Sequence, residues 1–154
     1  MAVSGELLAR ILTDSERPAQ LIIAGQAHPA DCDGQSMIKQ WNDFTHDYHL
    51  RNKVVFLADY DMHVTQRLVQ GAGLWINTPR RPWEACGTSG MKVLVNGGLN
   101  LSELDGWWAE AYTSEVGWAV GSTAMWREQD TQDADRLYTI LEEEVKPAFY
   151  HHKP

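Results

Sequence analysis

Residues 54–77, VVFLADYDMHVTQRLVQGAGLWIN, contain two short apolar runs separated by an amphipathic segment of helical length. The runs at 54–57 and 74–76 are bounded by turn residues, which is typical of buried parallel strands. The segment between them, 61–70, begins with an acid and is followed by Gly71, and both features favour a helix. Strand, helix and strand in this order predict a βαβ unit, and therefore an α/β fold with a parallel sheet.

The alternation of strands and helices continues on both sides of this unit. The further predicted elements are a helix over 5–14, a strand over 21–24, a looser helix over about 34–50, a helix over 89–96 and a terminal helix over 137–145. We therefore expect a Rossmann-like parallel sheet flanked by helices over residues 18–125, an N-terminal helix over 1–17, and a C-terminal helix and tail over 126–154. In such sheets, ligands bind at the carboxyl ends of the strands.

Composition and charge exclude several classes of function. The chain has 154 residues, of which 44% are hydrophobic and 22% charged, as in ordinary globular domains. It carries 13 Lys and Arg against 21 Asp and Glu, and the formal net charge of −8 disfavours binding to nucleic acid or to an anionic membrane surface. No apolar run is as long as a membrane span, and the N-terminus has no signal-peptide pattern. The sequence therefore predicts a cytoplasmic protein.

Neither the cysteines nor the histidines indicate a metal site. The two cysteines are too few for a disulfide scaffold and lack the paired spacing of zinc ligands. His46 with His49, and His151 with His152, would each need further ligands in a fixed geometry. We expect no metal.

The most informative stretch is residues 77–92, NTPRRPWEACGTSGMK. Gly87 lets a ligand approach the backbone closely, and Thr88 and Ser89 are good caps for the helix that follows. The free N–H groups at the start of a helix, together with the helix dipole, favour an anion such as phosphate. Lys92 lies about one turn further on, where its amine can pair with phosphate or form a Schiff base with an aldehyde. A capped helix with a solvated lysine explains the same residues.

The same stretch resembles the cofactor loop of the α-glucan (glycogen and maltodextrin) phosphorylases, a glycosyltransferase family that carries pyridoxal phosphate. The family pattern is Glu-Ala-Ser-Gly-Thr, two small or polar residues, Met-Lys, a few apolar residues and Asn-Gly. Residues 84–92 here are EACGTSGMK, and 96–97 are NG. Three further stretches resemble the bacterial and archaeal branch of the family, namely AGQAHP at 24–29, VFLADYDM at 55–62 and LSELDGWW at 101–108.

The resemblance implies a role for each matching residue. It implies cofactor-binding roles for Lys92, Thr88, Ser89 and Tyr60, and glucosyl-binding roles for Glu84, Cys86 and Gly87. Lys92 is then also the catalytic residue, as the attachment point of pyridoxal phosphate. The implied reaction is phosphorolysis of the terminal α-1,4-linked glucose of a glucan, which releases glucose 1-phosphate. The chain departs from the family at Cys86, where the family has Ser, and at Gln26, where it usually has Lys.

The resemblance covers only the latter part of the C-terminal domain of a two-domain glycosyltransferase B-type architecture. The basic segment that binds both phosphates in the family, and the whole N-terminal domain, have no counterpart in this sequence. We therefore expect an excised domain, or the product of a split or decayed gene, which is inactive alone. Because a truncated sheet leaves an edge exposed, we also expect a homo-oligomer or a companion phosphorylase chain.

Two other functions remain open at this point. One is a phosphorylase remnant that binds no cofactor. The other is a domain of a nucleotide-sugar glycosyltransferase, which shares the fold but has no use for a lysine at position 92. Trp83, Trp107, Trp108 and Trp118 suit sugar stacking, although packing in a core explains them as well.

Overall fold

The computed structural model describes residues 2–121 and 129–150. Its elements, in chain order, are α1 (Ala2–Thr13), β1 (Leu21–Ala24), α2 (Cys32–Asp47), β2 (Val54–Leu57), α3 (Met62–Gly71), β3 (Leu74–Asn77), α4 (Thr88–Val95), β4 (Leu99–Glu103), α5 (Trp108–Ala111), β5 (Gly117–Val120), α6 (Gln129–Ile140), a π-helical turn (Leu141–Val145) and α7 (Lys146–Tyr150). Every strand pair is parallel. The predicted α/β class with parallel strands and flanking helices is therefore confirmed.

The chain divides into two compact units. The first comprises Met1–Asp61 and Leu141–Pro154, and the second is Met62–Ile140. The first unit contains a two-stranded sheet of β1 and β2, and the second contains a three-stranded sheet in the order β3-β4-β5. The domain limits predicted at residues 17 and 125 stay a prediction.

In the first unit, α1 is tied to the C-terminal helical segment. The buried Lys146 ammonium donates to the carbonyl of Ile11, at 2.9 Å, and to Asp14 Oδ2, at 2.7 Å. This hydrogen bond from Lys146 holds the pKa of Asp14 at about 2, below its usual 3.8. Arg10 pairs with Glu142 at 2.7 Å on the surface, where an ion pair contributes little to stability. The buried lysine is therefore the main polar contact between these helices.

In the second unit, β4 is the central strand, and its residues 100–103 are all buried. Leu101, Val93 of α4 and Trp108 of α5 are completely buried around it. Asn100 Nδ2 donates to the carbonyl of Gly90 at 3.2 Å, so a buried side chain joins β4 to α4. This central strand places the loops after β3 and β4 next to each other at its carboxyl end.

Several element boundaries differ from those predicted. The predicted elements do not include β4, β5 and α5. LNLSE at 99–103 mixes apolar and polar residues, GWAV at 117–120 begins with a glycine, which weakens a strand pattern, and α5 is too short to show a helical period. α2 covers Cys32–Asp47 rather than 34–50, and its N-terminus is capped by Asp31, which accepts from the Gly34 N–H at 2.9 Å. The terminal helix begins at Gln129 rather than 137, and a π-helical turn interrupts it at Leu141–Val145.

Candidate functional site

The predicted site residues of the second unit lie at the carboxyl edge of its sheet. The loop at 78–87 follows β3 and leads into α4, while the turn at 104–107 follows β4. β3 and β4 run parallel, with Asn77 opposite Ser102, so both connections leave the sheet at the same edge. Ligands of open α/β sheets bind at this edge.

The first half of the β3–α4 loop is fixed by an ion pair. Arg80 Nε lies 3.1 Å from Asp130 Oδ1, and Arg80 Nη2 lies 2.6 Å from Asp130 Oδ2. Both side chains are exposed, but the two-pronged geometry restricts the guanidinium more than a single contact does. The start of the loop is thereby attached to the first turn of α6.

Gly87, rather than Thr88 or Ser89, is the N-cap of α4. Its φ of 82° lies in the left-handed region, and α4 begins at Thr88, one residue earlier than predicted. Thr88 and Ser89 are therefore the first two helical residues and not its caps. Because Gly87 has no side chain to cap the first turn, the N–H groups of that turn are left to water or a ligand.

Glu84 and Gly87 lie side by side. A Cβ built at residue 87 would lie 3.0 Å from Glu84 Oε1 and 3.1 Å from Trp107 Cδ1. The backbone of Gly87 is thus enclosed between a carboxylate and an indole ring. A carboxylate next to an exposed helix start combines acceptors and donors within one short segment, which suits a ligand that has both hydroxyl groups and an anionic group.

The other predicted residues differ in exposure. Lys92 lies in the second turn of α4 and is exposed, as are Thr88 and Cys86, whereas Ser89 is half-buried. Cys86 has a free thiol. Tyr60 belongs to the first unit, where it follows β2 and is half-buried. The structure thus brings six of the seven predicted residues into one segment of the second unit, and their roles stay a prediction.

Glu103 is a buried acid that the sequence patterns did not single out. It is the last residue of β4 and only 2% exposed. Within the described part of the chain, its Oε1 has no hydrogen-bond partner. Burial is the largest cause that raises the pKa of Glu103 to about 7. The negative charge of Asp133 adds to the increase, the positive charge of Arg81 opposes it, and the negative charge of Asp105 adds to it again. The neighbouring Gly121 makes room for this carboxyl group, because a Cβ at residue 121 would lie only 1.9 Å from Glu103 Oε1.

Glu103 also lines a cavity of about 210 Å³. The lining residues are Thr78, Pro79, Arg80, Glu103, Val120, Asp130, Asp133, Ala134 and Leu137. The cavity shares only the start of the β3–α4 loop with the predicted site, and none of the predicted site residues lines it.

The tryptophans fall into different environments. Trp108 is fully buried, and its ring centroid lies 5.1 Å from that of the neighbouring Trp107. Trp107 contacts the site through Gly87, whereas Trp83 is 71% exposed. Trp108 thus belongs to the core of the second unit, as the packing interpretation predicts.

Within the described ranges, no group of three or more His, Cys, Asp and Glu residues is arranged to hold a metal ion. His151 and His152 lie outside those ranges. None of the helices described there combines the length and the apolar character that crossing a bilayer requires.

Known proteins match this chain over most of its length. The family model described as carbohydrate phosphorylase matches residues 7–126. The chain is 46% identical to glycogen phosphorylase of Aquifex aeolicus over 145 residues, which cover 94% of this chain and 21% of that protein. It is 40% identical to maltodextrin phosphorylase of Thermococcus litoralis over 151 residues, which cover 96% of this chain and 18% of that protein. The chain thus spans about a fifth of the length of these relatives.

Solved structures match the fold at low sequence identity. HepE of Anabaena, in complex with UDP and glucose, gives a TM-score of 0.61 at 19% identity, covering 96% of this chain and 36% of that one. Sucrose-phosphate synthase of Thermosynechococcus elongatus gives 0.58 at 16% identity, covering 94% and 34%. These neighbours have the glycosyltransferase B-type fold, so the predicted architecture is confirmed.

The geometry at Gly87 leads to a prediction with a matched control. Gly97 has a similar φ of 85°, but no atom lies within 4 Å of a Cβ built there, whereas a Cβ at Gly87 is crowded. Gly97→Ala should lower the free energy of unfolding by about 1–2 kcal/mol through left-handed strain alone. Gly87→Ala should lower it further, because it adds crowding against Glu84 and Trp107. Urea unfolding of both variants measures the difference, and equal losses would contradict the enclosure of Gly87.

The buried acid predicts a particular dependence of stability on pH. Between about pH 4.5 and 7 the unfolded chain loses the proton of residue 103 while the folded protein keeps it, so Glu103 makes the fold less stable as pH rises. Glu103→Gln should therefore gain stability relative to the wild type across this range, with the gap levelling off above pH 7. Thermal unfolding at several pH values measures it. Glu115→Gln, at an exposed position of the same unit, should show no widening gap, and a constant gap for Glu103→Gln would refute the prediction.

Proposed function

This chain belongs to the carbohydrate phosphorylase family, and we propose that it is the pyridoxal-phosphate-binding part of an α-1,4-glucan phosphorylase. The observation that carries the proposal is the Gly87-capped start of α4, with Glu84 beside it, in the segment EACGTSGMK at the carboxyl edge of the sheet. The substrates of the complete enzyme are an α-glucan and inorganic phosphate, and the product is glucose 1-phosphate.

The residues present fit the cofactor. The backbone N–H groups at Thr88 and Ser89 would hold its phosphate, since Gly87 leaves the first turn of α4 without a side-chain cap. The exposed Lys92 amine, one turn further along α4, would be the covalent attachment point. Tyr60, in the first unit, keeps the cofactor-binding role that the family resemblance implies for it. When bound, pyridoxal phosphate supplies a phosphate group that exchanges a proton with the substrate phosphate.

The glucosyl residue would be bound by the loop that precedes α4. The Glu84 carboxylate accepts hydrogen bonds from sugar hydroxyl groups, and the Gly87 backbone beside it donates. Cys86 stands at the position of the family's Ser, and its exposed thiol is a weaker hydrogen-bond donor than a hydroxyl. Glu84 and Gly87 therefore carry most of the hydrogen bonding that we assign to this loop.

The cofactor assignment is tested by trapping. The full chain is incubated with pyridoxal phosphate, reduced with borohydride and digested, and the modified peptides are mapped. We expect the label to concentrate on Lys92, to be lost in Lys92→Arg and to be kept in Lys53→Arg. Pyridoxal, which lacks the phosphate, should label Lys92 much less, because the helix start has no anion to bind.

Uniform labelling of the lysines, or equal labelling by pyridoxal and pyridoxal phosphate, would reject the cofactor assignment. That result would favour the alternative of a phosphorylase remnant without a cofactor. The alternative of a nucleotide-sugar transferase rests on the fold alone.

We also propose that the isolated chain does not catalyse phosphorolysis. Positioning phosphate, glucose and cofactor together contributes roughly 7–11 kcal/mol to such reactions, and this chain corresponds to only a fifth of its relatives. The groups of the active site that this chain lacks would come from a companion phosphorylase chain. We also keep as proposals that the chain forms a homo-oligomer and that it is cytoplasmic. An assay for glucose 1-phosphate released from maltodextrin decides the point, since turnover by the chain alone would contradict it.

A further inference from the structure

We propose that Asp105 is a positioning residue that holds the glucosyl- and cofactor-binding loop against the end of β4, and that Gly106 and Trp107 complete this contact. The inference rests on the proposed function, because it assigns a task to residues that touch neither substrate nor cofactor. It concerns the turn at 105–107, Asp-Gly-Trp, and the loop segment at 84–87, Glu-Ala-Cys-Gly.

Two hydrogen bonds join the segments directly. Asp105 Oδ2 accepts from the backbone N–H of Glu84 at 3.0 Å. The backbone N–H of Trp107 donates to the carbonyl of Cys86 at 3.1 Å. The first bond is charge-assisted, and such bonds are about twice as strong as neutral ones. Together they fix the backbone on both sides of Ala85, and hence the direction in which Glu84 leaves the chain.

Gly106 lets the two segments approach this closely. A Cβ at residue 106 would lie 2.8 Å from Glu84 Cγ and 2.9 Å from the carbonyl oxygen of Cys86. Contacts this short do not occur in folded proteins, so any larger residue would push the turn away from the loop. The glycine therefore serves the same contact as the carboxylate before it.

Trp107 extends the contact to the start of α4. Its ring lies 3.1 Å from a Cβ built at Gly87 and 3.0 Å from one built at Gly90. The indole thus lies along the N-cap and the first turn of the helix, from which the phosphate-binding N–H groups arise. On the sheet side, Asn100 holds the same turn through the carbonyl of Gly90.

The turn is itself anchored in the core. The Asp105 N–H donates to the carbonyl of Glu103 at 2.8 Å, and the carbonyl of Asp105 accepts from the Trp108 N–H at 3.2 Å. Glu103 is 2% exposed and Trp108 is fully buried. Asp105 therefore connects two buried positions to an exposed loop, which is the arrangement that a preorganised site requires.

The variants Asp105→Asn and Asp105→Ala separate this role from general destabilisation. Asn keeps a neutral acceptor for the Glu84 N–H, whereas Ala removes the acceptor altogether. The matched control is Asp135→Asn, which changes an exposed aspartate of α6 in the same unit. If Asp105→Ala fails to fold, Asp105→Asn alone carries the test.

The first readout is hydrogen exchange of the Glu84 amide, followed by NMR in the full chain. We expect exchange to be on the order of tenfold faster in Asp105→Ala than in the wild type, with Asp105→Asn in between and Asp135→Asn unchanged. The second readout is the share of trapped pyridoxal phosphate found on Lys92, which should fall in the same order. A uniformly destabilised protein would not show this graded and local pattern.

The outcomes distinguish the inference from the proposed function. If the wild type does not trap pyridoxal phosphate at Lys92, the proposed function fails, and the exchange rate of Glu84 still decides whether Asp105 holds the loop. If the wild type does trap it, an unchanged Glu84 exchange rate in Asp105→Ala overturns the inference. An unchanged share of label on Lys92, or an equal change in Asp135→Asn, overturns it as well.

Discussion

The site depends on three positions that have no room for a side chain. A Cβ at Gly87 or at Gly106 would lie within about 3 Å of the Glu84 side chain, and a Cβ at Gly90 would lie within about 3 Å of the Asn100 side chain. The loop after β3, the first turn of α4 and the turn after β4 can meet only because these residues are glycines. Glu84 and the start of α4 therefore both lie against the turn that follows β4.

The burial of polar side chains in β4 is a second constraint on this part of the structure. Asn100, Ser102 and Glu103 are all nearly inaccessible to water, yet they belong to the central strand. Asn100 is satisfied by Gly90, and Ser102 Oγ donates to the carbonyl of Glu103. Within the described residues Glu103 Oε1 has no such partner, and burial raises the pKa of this carboxyl group to about 7. A buried polar group without a partner costs about 1–3 kcal/mol, so the end of β4 gives up some stability where the site is built.

The sequence predicts those parts of the fold that rest on continuous apolar runs. β1, β2 and β3 begin where the apolar runs at residues 21, 54 and 74 begin, because each run is unbroken and bounded by turn residues. The burial predicted for these strands is only partial, since Ile22, Val55 and Ile76 are exposed. β4 is not predicted because some of its buried residues are polar, and the local sequence does not reveal the tertiary hydrogen bonds that allow them to be buried. The resemblance to a family names Glu84, Gly87 and Lys92, whereas the task of Asp105 is visible only when residues twenty-one positions apart meet in space.

Cofactor binding and catalysis make different demands on this chain. The loop at 84–87, the start of α4 and the turn at 105–107 all belong to the second unit, so the contacts that would hold a phosphate and orient Glu84 are complete within residues 84–107. Phosphorolysis, as proposed for the complete enzyme, also needs groups that bind the substrate phosphate and close over the glucan, and this chain spans about a fifth of the length of its relatives. Preorganisation of the proposed cofactor side would be a local property of one compact unit, while closure of the proposed active site would be a property of the whole enzyme. The hydrogen bonds that the structure describes for Asp105, Trp107 and Asn100 all join residues of that unit, so the proposed preorganisation does not require the rest of the enzyme.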